Sequence, residues 1–198
     1  MNEVLIIRYI NVQGLTYSKY YELRKLLQKD NEILLLAETH MKCDSFKSDK
    51  DILAVHKIRE KDDKKGGGLS IMYNRKIIGI EIIEKEIENS DLMLIRIENN
   101  KTRYKFDILL VYFSVMNQKE DRTRNSKIQE CIERQLEKSE NIILLGDFNG
   151  HIKELQMQKE NYNGKRLKNI IDRYNLYLIN TSEKCKGKIT WQRNEQKS

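Results

Sequence analysis

Proline is absent from the chain, where average usage would supply about ten in 198 residues. That excludes proline-rich linkers, polyproline segments and collagen-like repeats. Cysteine is scarce: Cys43, Cys131 and Cys185 stand far apart and form no CxxC pair. A disulfide framework and a cysteine zinc site are excluded, and the expectation is reduced thiols in an intracellular protein. Long apolar runs are also missing. The longest cover about five residues, as in Ile33 to Ala37, far short of a membrane-spanning helix. Val4 to Ile7 is too short for the apolar region of a signal peptide. A soluble chain with no membrane partner is expected.

Charge is abundant. Charged residues make up 34% of the chain, against about 25% in an average soluble protein. Lys and Arg number 37 against 30 Asp and Glu, for a net charge of +7 spread along the sequence. The excess favours a polyanionic partner only weakly, because solubility alone also accounts for it. A proline-free composition rich in Lys, Asn and Ile is also what nucleotide bias produces, so no function is drawn from it. No repeat and no break in composition divides the chain, which predicts one domain over residues 1–198.

Short apolar runs alternate with segments of helical period, the pattern of a mixed α/β domain. Val4 to Ile10 reads as a strand, residues 18–29 as an amphipathic helix and Ile33 to Ala37 as a buried strand. Lys42 to Asp51 reads as a surface loop, and Arg59 to Lys65, mixed in sign, as a solvated turn. Gly66-Gly67-Gly68 lacks the spacing of a phosphate cradle and precedes a strand; it reads as a tight turn into Leu69 to Tyr73. Strands at Ile77–Ile83, Leu92–Ile97 and Phe106–Tyr112 follow without a helix, which suggests antiparallel meanders. A helix over 119–138, a strand at Ile142–Leu145, a helix striped by Leu167, Ile170, Ile171 and Tyr174, and short strands at Leu176–Ile179 and Lys188–Trp191 complete the pattern.

The sharpest local feature is Leu144-Leu145-Gly146-Asp147-Phe148-Asn149-Gly150. At strand period Asp147 and Asn149 point the same way from the end of a buried strand, where active sites often lie. A carboxylate beside a carboxamide can orient a nucleophile and donate to an anionic oxygen. An Asx-rich turn is the competing reading. A second strand runs Leu34-Leu35-Leu36-Ala37 into Glu38-Thr39-His40. A carboxylate there suits a hard cation such as magnesium, which needs one or two such ligands plus water; a solvated Glu is the alternative. His40, a lone histidine, is read as structural rather than as a ligand. Asn11 and Tyr112 stand at two further strand exits.

Asn, Glu, Tyr and then Asp-x-Asn, in that order at strand ends, resemble the endonuclease/exonuclease/phosphatase superfamily, and within it the apurinic/apyrimidinic-like endonuclease domain of LINE-type retrotransposons. The segments that carry the resemblance are NVQGL at 11–15, LLAETHM at 35–41, GGGLSIMY at 66–73, LLVYF at 109–113 and LLGDFNGHI at 144–152, continued by NYNGKRLKNIID at 161–172 and KITW at 188–191. The resemblance implies a four-layer α/β sandwich of two mainly antiparallel sheets with helices outside. It implies that Glu38 ligates a catalytic magnesium, with manganese as a substitute, and that Asn11 lies beside it in the metal and phosphate shell. Asp147 would orient or activate the attacking water, and Asn149 and Tyr112 would hold the scissile phosphate. Lys42, Arg75, Arg122 and Arg124 would reach flanking phosphates, though each alone reads as surface charge, and Trp191 stands where the family has an aromatic near the DNA.

Two departures stand out. The proline that usually follows the tyrosine is replaced by Phe113-Ser114-Val115. The family's closing Ser-Asp-His motif does not occur before Ser198, and His40, His56 and His151 stand in other contexts. The expectation is therefore a domain cut short of its last strands, weakened in catalysis and marginal in stability. The implied function is a magnesium-dependent, DNA-nicking endonuclease whose parent polyprotein carries a reverse transcriptase domain and acts in the nucleus. The alternatives are an inactive remnant that only binds nucleic acid, and a phosphatase of the same superfamily.

Overall fold

The computed structural model describes residues 4–27, 31–42, 46–58, 66–77, 79–85, 87, 89–115, 119–153 and 159–183. They divide into two compact units, Met1–Phe148 and Asn149–Ser198. The strand at Lys188–Trp191, with Trp191 itself, lies outside the described residues, as do Cys43 and Cys185.

The first unit holds eight strands and two helices in the order β1 (Ile6–Asn11), α1 (Tyr17–Leu26), β2 (Glu32–Ala37), β3 (Ile52–Lys57), β4 (Leu69–Asn74), β5 (Ile80–Lys85), β6 (Leu92–Asn99), β7 (Lys105–Tyr112), α2 (Lys119–Leu136) and β8 (Ile142–Asp147). One sheet has the order β1-β2-β4-β3 and the other β5-β6-β7-β8. Each contains a single parallel pair, β1 with β2 and β7 with β8; the other pairings are antiparallel.

Strand period two sorts the apolar residues into layers. Ile33, Leu35 and Ala37 of β2 and Leu69 and Ile71 of β4 meet Met93, Ile95 and Ile97 of β6 and Ile108 and Leu110 of β7 in the core between the sheets. The opposite parity, Leu34, Leu36 and Met72, packs with Tyr20, Leu23 and Leu27 of the α1 segment. Burial on both faces explains why β2 is an unbroken apolar run. Its one charge, Glu32, is 2% exposed and is paired by a two-pronged Arg8 contact at 3.0 and 3.2 Å. In the second sheet Arg96 and Asp107 face each other across β6 and β7 in the same two-pronged way, at 2.7 and 2.8 Å. Helix α2 buries Ile128, Cys131 and Ile132. Its Asn125 amide closes both backbone groups of Ser114, and its Arg124 pairs with buried Asp91. The unit is a four-layer α/β sandwich, as the sequence implied.

In this unit two readings of the sequence need correction. β4 does not continue a meander: it joins the first sheet between β2 and β3, and only β5, β6 and β7 form one. β3 falls where no strand was read; its alternating burial marks a half-buried edge strand, and His and Lys break its apolar signal.

In the second unit, α3 (Tyr162–Tyr174) is capped by the Asn161 side chain, which accepts from Gly164 N at 2.8 Å. It ends at Asn175 in the left-handed region. The strand expected at Leu176–Ile179 does not form. The backbone turns into a short 3-10 helix, Ile179–Thr181, with Tyr177 and Ile179 75% and 59% exposed, so these side chains have no sheet face to pack on. Among the described residues no helix is long and apolar enough to cross a membrane.

Candidate active site

Parallel pairing brings the polar strand ends together in the first unit. Asn11 is opposite Ala37 in the β1/β2 register, one residue before Glu38. Tyr112 is opposite Asp147 in the β7/β8 register. A hydrogen bond links the two sheets: Asn11 Nδ2 donates to Asp147 Oδ2 at 2.8 Å. The Asn11 amide is oriented from its other side, because its Oδ1 accepts from Gln13 N at 3.2 Å. The Asp147 backbone is held as well, its carbonyl accepting from Phe113 N at 2.8 Å.

Glu38 leaves β2 with φ 53°, and Gln13 and His40 also have positive φ, 45° and 52°. Such strain persists only where neighbours over-determine the backbone. Here Gly14 N and Leu15 N donate to the carbonyls of Glu38 and Thr39 at 2.7 and 2.8 Å, while Thr39 N and His40 N donate to Gly68 and Gly67 at 3.2 and 3.1 Å. Lys19 Nζ fixes the turn after β1 by donating to the Val12, Gln13 and Gly14 carbonyls at 2.5, 3.3 and 3.0 Å. The Glu38 segment is thus strapped between the β1 turn and the triple glycine.

The triple glycine, read from sequence as a turn, also shapes this place. A Cβ on Gly66 (φ 106°) would sit 2.9 Å from the Tyr112 hydroxyl oxygen. Gly146, with φ 153°, allows β8 to pass Val111, whose carbonyl oxygen a Cβ would meet at 2.0 Å. That close approach explains the glycine directly before Asp147.

Tyr9 is the residue the sequence reading missed. It precedes Asn11 by two on β1, and that spacing was the available signal. Its hydroxyl is buried and has no hydrogen-bond partner; the Thr39 hydroxyl shares that condition. Burial first, then the charges of Asp147 and Glu38 and the neighbouring Tyr112, push the Tyr9 phenol well above its ordinary value. The phenol therefore stays a neutral donor. Asn11 bonds Asp147, Glu38 directly follows the residue paired with Asn11, and Tyr112 is paired with Asp147, so the four stand at neighbouring strand ends.

Asn149 opens the second unit and is described there. It has φ 43°, and its carbonyl accepts from Asn161 Nδ2 at 2.8 Å and Asn163 Nδ2 at 3.4 Å. His40 Nε2 is 3.7 Å from Glu38 Oε2. His56 uses both ring nitrogens locally, against Ser70 Oγ and the Phe46 carbonyl at 2.7 and 2.6 Å. Of the basic candidates, Arg124 pairs with Asp91, Arg75 donates to the Asp49 carbonyl at 2.7 Å, and Lys42 and Arg122 are exposed. Arg124 is thus committed to an internal pair rather than to a flanking phosphate.

Among the described residues no three His, Cys, Asp or Glu side chains form a metal-holding group. Glu38, Asp147 and the Asn11 amide offer oxygen donors only. One or two carboxylates with water is the usual complement for magnesium, so the donor set fits that ion.

Residues 106–198 match the family described as Endonuclease-reverse transcriptase. No match was found among curated proteins. Solved structures that share the fold include the following three. The AP endonuclease LMAP from Leishmania major aligns with TM-score 0.64 at 12% identity, over 85% of this chain and 66% of its own. The 3′ phosphatase NExo from Neisseria, bound to product DNA hairpin, aligns with TM-score 0.58 at 14% identity, over 85% of this chain and 71% of its own. The 3′-5′ exonuclease NExo from Neisseria meningitidis gives 0.56 at 15%, over 84% and 70%. The alignments therefore span about two thirds of these proteins' own length.

Proposed function

From its fold and from the family match over residues 106–198 we propose that the chain is a member of the endonuclease/exonuclease/phosphatase superfamily and a magnesium-dependent DNA-nicking endonuclease of retrotransposon type. The observation that carries the reading is the Asn11–Asp147 hydrogen bond between the ends of the two sheets, with Glu38 and Tyr112 close to the same point. Phosphodiester hydrolysis needs a positioned water, donors for charge developing on the phosphate, and a Lewis acid.

In this reading Asp147 accepts the proton of the attacking water as its oxygen bonds to phosphorus, and Asn11 keeps that carboxylate aimed. The bond from phosphorus to the leaving sugar oxygen breaks, and that oxygen takes its proton from solvent water. Tyr112 donates to a non-bridging phosphate oxygen. Glu38 and Asn11 would hold magnesium, or manganese in its place, which when bound polarises a phosphoryl oxygen. DNA is the substrate this reading names; support comes from the neighbour solved on a product hairpin. The family description names a reverse transcriptase; that such a domain belongs to the same polyprotein, and that the protein acts in the nucleus, are parts of this proposal.

Relaxation of supercoiled plasmid tests the proposal. Magnesium-dependent nicking that falls roughly 10²-fold or more in Asp147→Ala and Glu38→Ala supports it. Phosphate release from a 3′-phosphorylated oligonucleotide without nicking replaces it with a phosphatase, and DNA binding without either reaction with a binding remnant.

A further inference from the structure

The Tyr9 hydroxyl is an unexplained feature of the site. It reaches no solvent and has no hydrogen-bond partner, a rare condition for a buried polar atom. Phenylalanine would fill the same space between the sheets, where the ring packs against the core cluster, without leaving a donor unmade. The hydroxyl therefore lowers the stability of the resting fold and gains only when an acceptor reaches it. Strand geometry says which acceptor. Tyr9 and Asn11 lie two apart on β1, so their side chains leave the strand on the same side. Asn11 already donates to Asp147 Oδ2 at 2.8 Å. A carboxylate offers about four acceptor positions, enough for both β1 donors.

We propose that Tyr9 is a positioning residue whose hydroxyl donates to the Asp147 carboxylate when the site takes up a phosphate ester, completing a two-donor clamp with Asn11. This rests on the reading of Asp147 as the group that handles the attacking water. Two donors two residues apart on one face of the strand bear on both the direction and the tilt of the carboxylate. The hydroxyl is enclosed, so it acts through Asp147 and does not touch substrate. Electrostatics agree: among charged groups acting on the Tyr9 phenol, Asp147 comes first and Glu38 second.

Tyr9→Phe in the full chain is the test, read in three ways. The thermal midpoint is expected to hold or rise, since an unmade donor is removed. The kcat for plasmid nicking is expected to fall about 10- to 100-fold with KM unchanged, the range of one hydrogen bond to a charged group. In the wild-type protein labelled with 13C on tyrosine, the Cζ resonance that disappears in Tyr9→Phe is expected to move on adding magnesium chloride with thymidine 5′-monophosphate, and to stay still in Asp147→Ala. A Tyr9→Phe midpoint several degrees lower with kcat intact makes the hydroxyl structural and overturns the proposal. So does a Cζ resonance that the probe does not move. The two readings fail separately. A wild-type chain that never nicks, yet shows the Asp147-dependent shift, loses the nuclease and keeps the clamp. Equal kcat in wild type and Tyr9→Phe keeps the nuclease and loses the clamp.

Discussion

Removing the Asn11 side chain should uncouple the two halves of the site, and the structure says by how much. Asn11→Ala deletes two hydrogen bonds, one at 2.8 Å to Asp147 Oδ2 and one at 3.2 Å from Gln13 N. The Gln13 amide is exposed and exchanges its partner for water at little cost. The Asp147 bond has a charged acceptor in part-buried surroundings, and such bonds contribute about 1.5–3 kcal/mol. Chemical denaturation of wild type, Asn11→Ala, Asp147→Ala and the double variant should therefore return an interaction energy of about 1.5–3 kcal/mol. At about 2–4 °C per kcal/mol for a chain of this size, Asn11→Ala alone should lower the melting midpoint by roughly 3–12 °C. Asn11→Asp keeps the shape and reverses the sense, setting a second carboxylate against Asp147. It should destabilise more than Asn11→Ala at neutral pH and recover on acidification, because one of two adjacent carboxyls then takes a proton. Single-variant effects that add within about 0.5 kcal/mol would refute the reasoning, since residues that do not touch behave in that way.

Gly66→Ala should lose about 1–3 kcal/mol and slow any phosphodiester hydrolysis, because the backbone is left-handed and the new Cβ would stand 2.9 Å from the Tyr112 oxygen; unchanged denaturation and unchanged turnover would contradict it. Asp49 is brought down to about 2, chiefly by the Ile52 N–H, with burial opposing, then the Asp51 N–H and Arg24. A depressed carboxyl stabilises above its unfolded value and loses that contribution as pH falls through the folded one. Stability should therefore drop between about pH 4 and 2, and the drop should be smaller in Asp49→Asn, read by urea midpoints along that series. Arg96→Met should cost about 3 kcal/mol near neutral pH, because Asp107, 3% exposed, loses its two-pronged partner; burial raises the Asp107 carboxyl and Arg96 and Ser139 more than offset it, so a loss that shrinks on acidification checks the cause.

Much of this was legible in residue order, for physical reasons that differ by element. β2 carries an unbroken apolar run from Ile33 to Ala37 and β7 one from Ile108 to Val111, each followed by a polar side chain, so both the strands and their exits can be read directly. β3 could not be read that way, since one face of an edge strand meets solvent and the run is interrupted by His56 and Lys57. The assignment of β4 to the first sheet depends on pairings 32 to 40 positions away, such as Ile33 with Tyr73, which leave no local trace. Tyr9 was hidden for a related reason. An aromatic in a strand reads as core, and whether its hydroxyl finds a partner is decided by β8, more than 130 residues later in the chain.

The four polar strand ends of the first unit also share a topological cause. Antiparallel neighbours end on opposite sides of a sheet, so a sheet built only from hairpins would scatter Asn11, Glu38, Tyr112 and Asp147 to different rims. Each sheet instead contains one β-α-β crossover, β1-α1-β2 in the first and β7-α2-β8 in the second, and parallel strands joined in this way finish side by side. Ligand sites in open α/β sheets lie at such carboxyl ends. Here there are two, and because the sheets are stacked face to face they are close enough for Asn11 of one to bond Asp147 of the other. The arrangement depends on register. A slip of one residue in β1 would turn Tyr9 and Asn11 away and present Ile10 instead. Arg8 opposes such a slip with its two bonds to Glu32, the first residue of β2, so a pair that looks merely structural holds two of the site's donors in line.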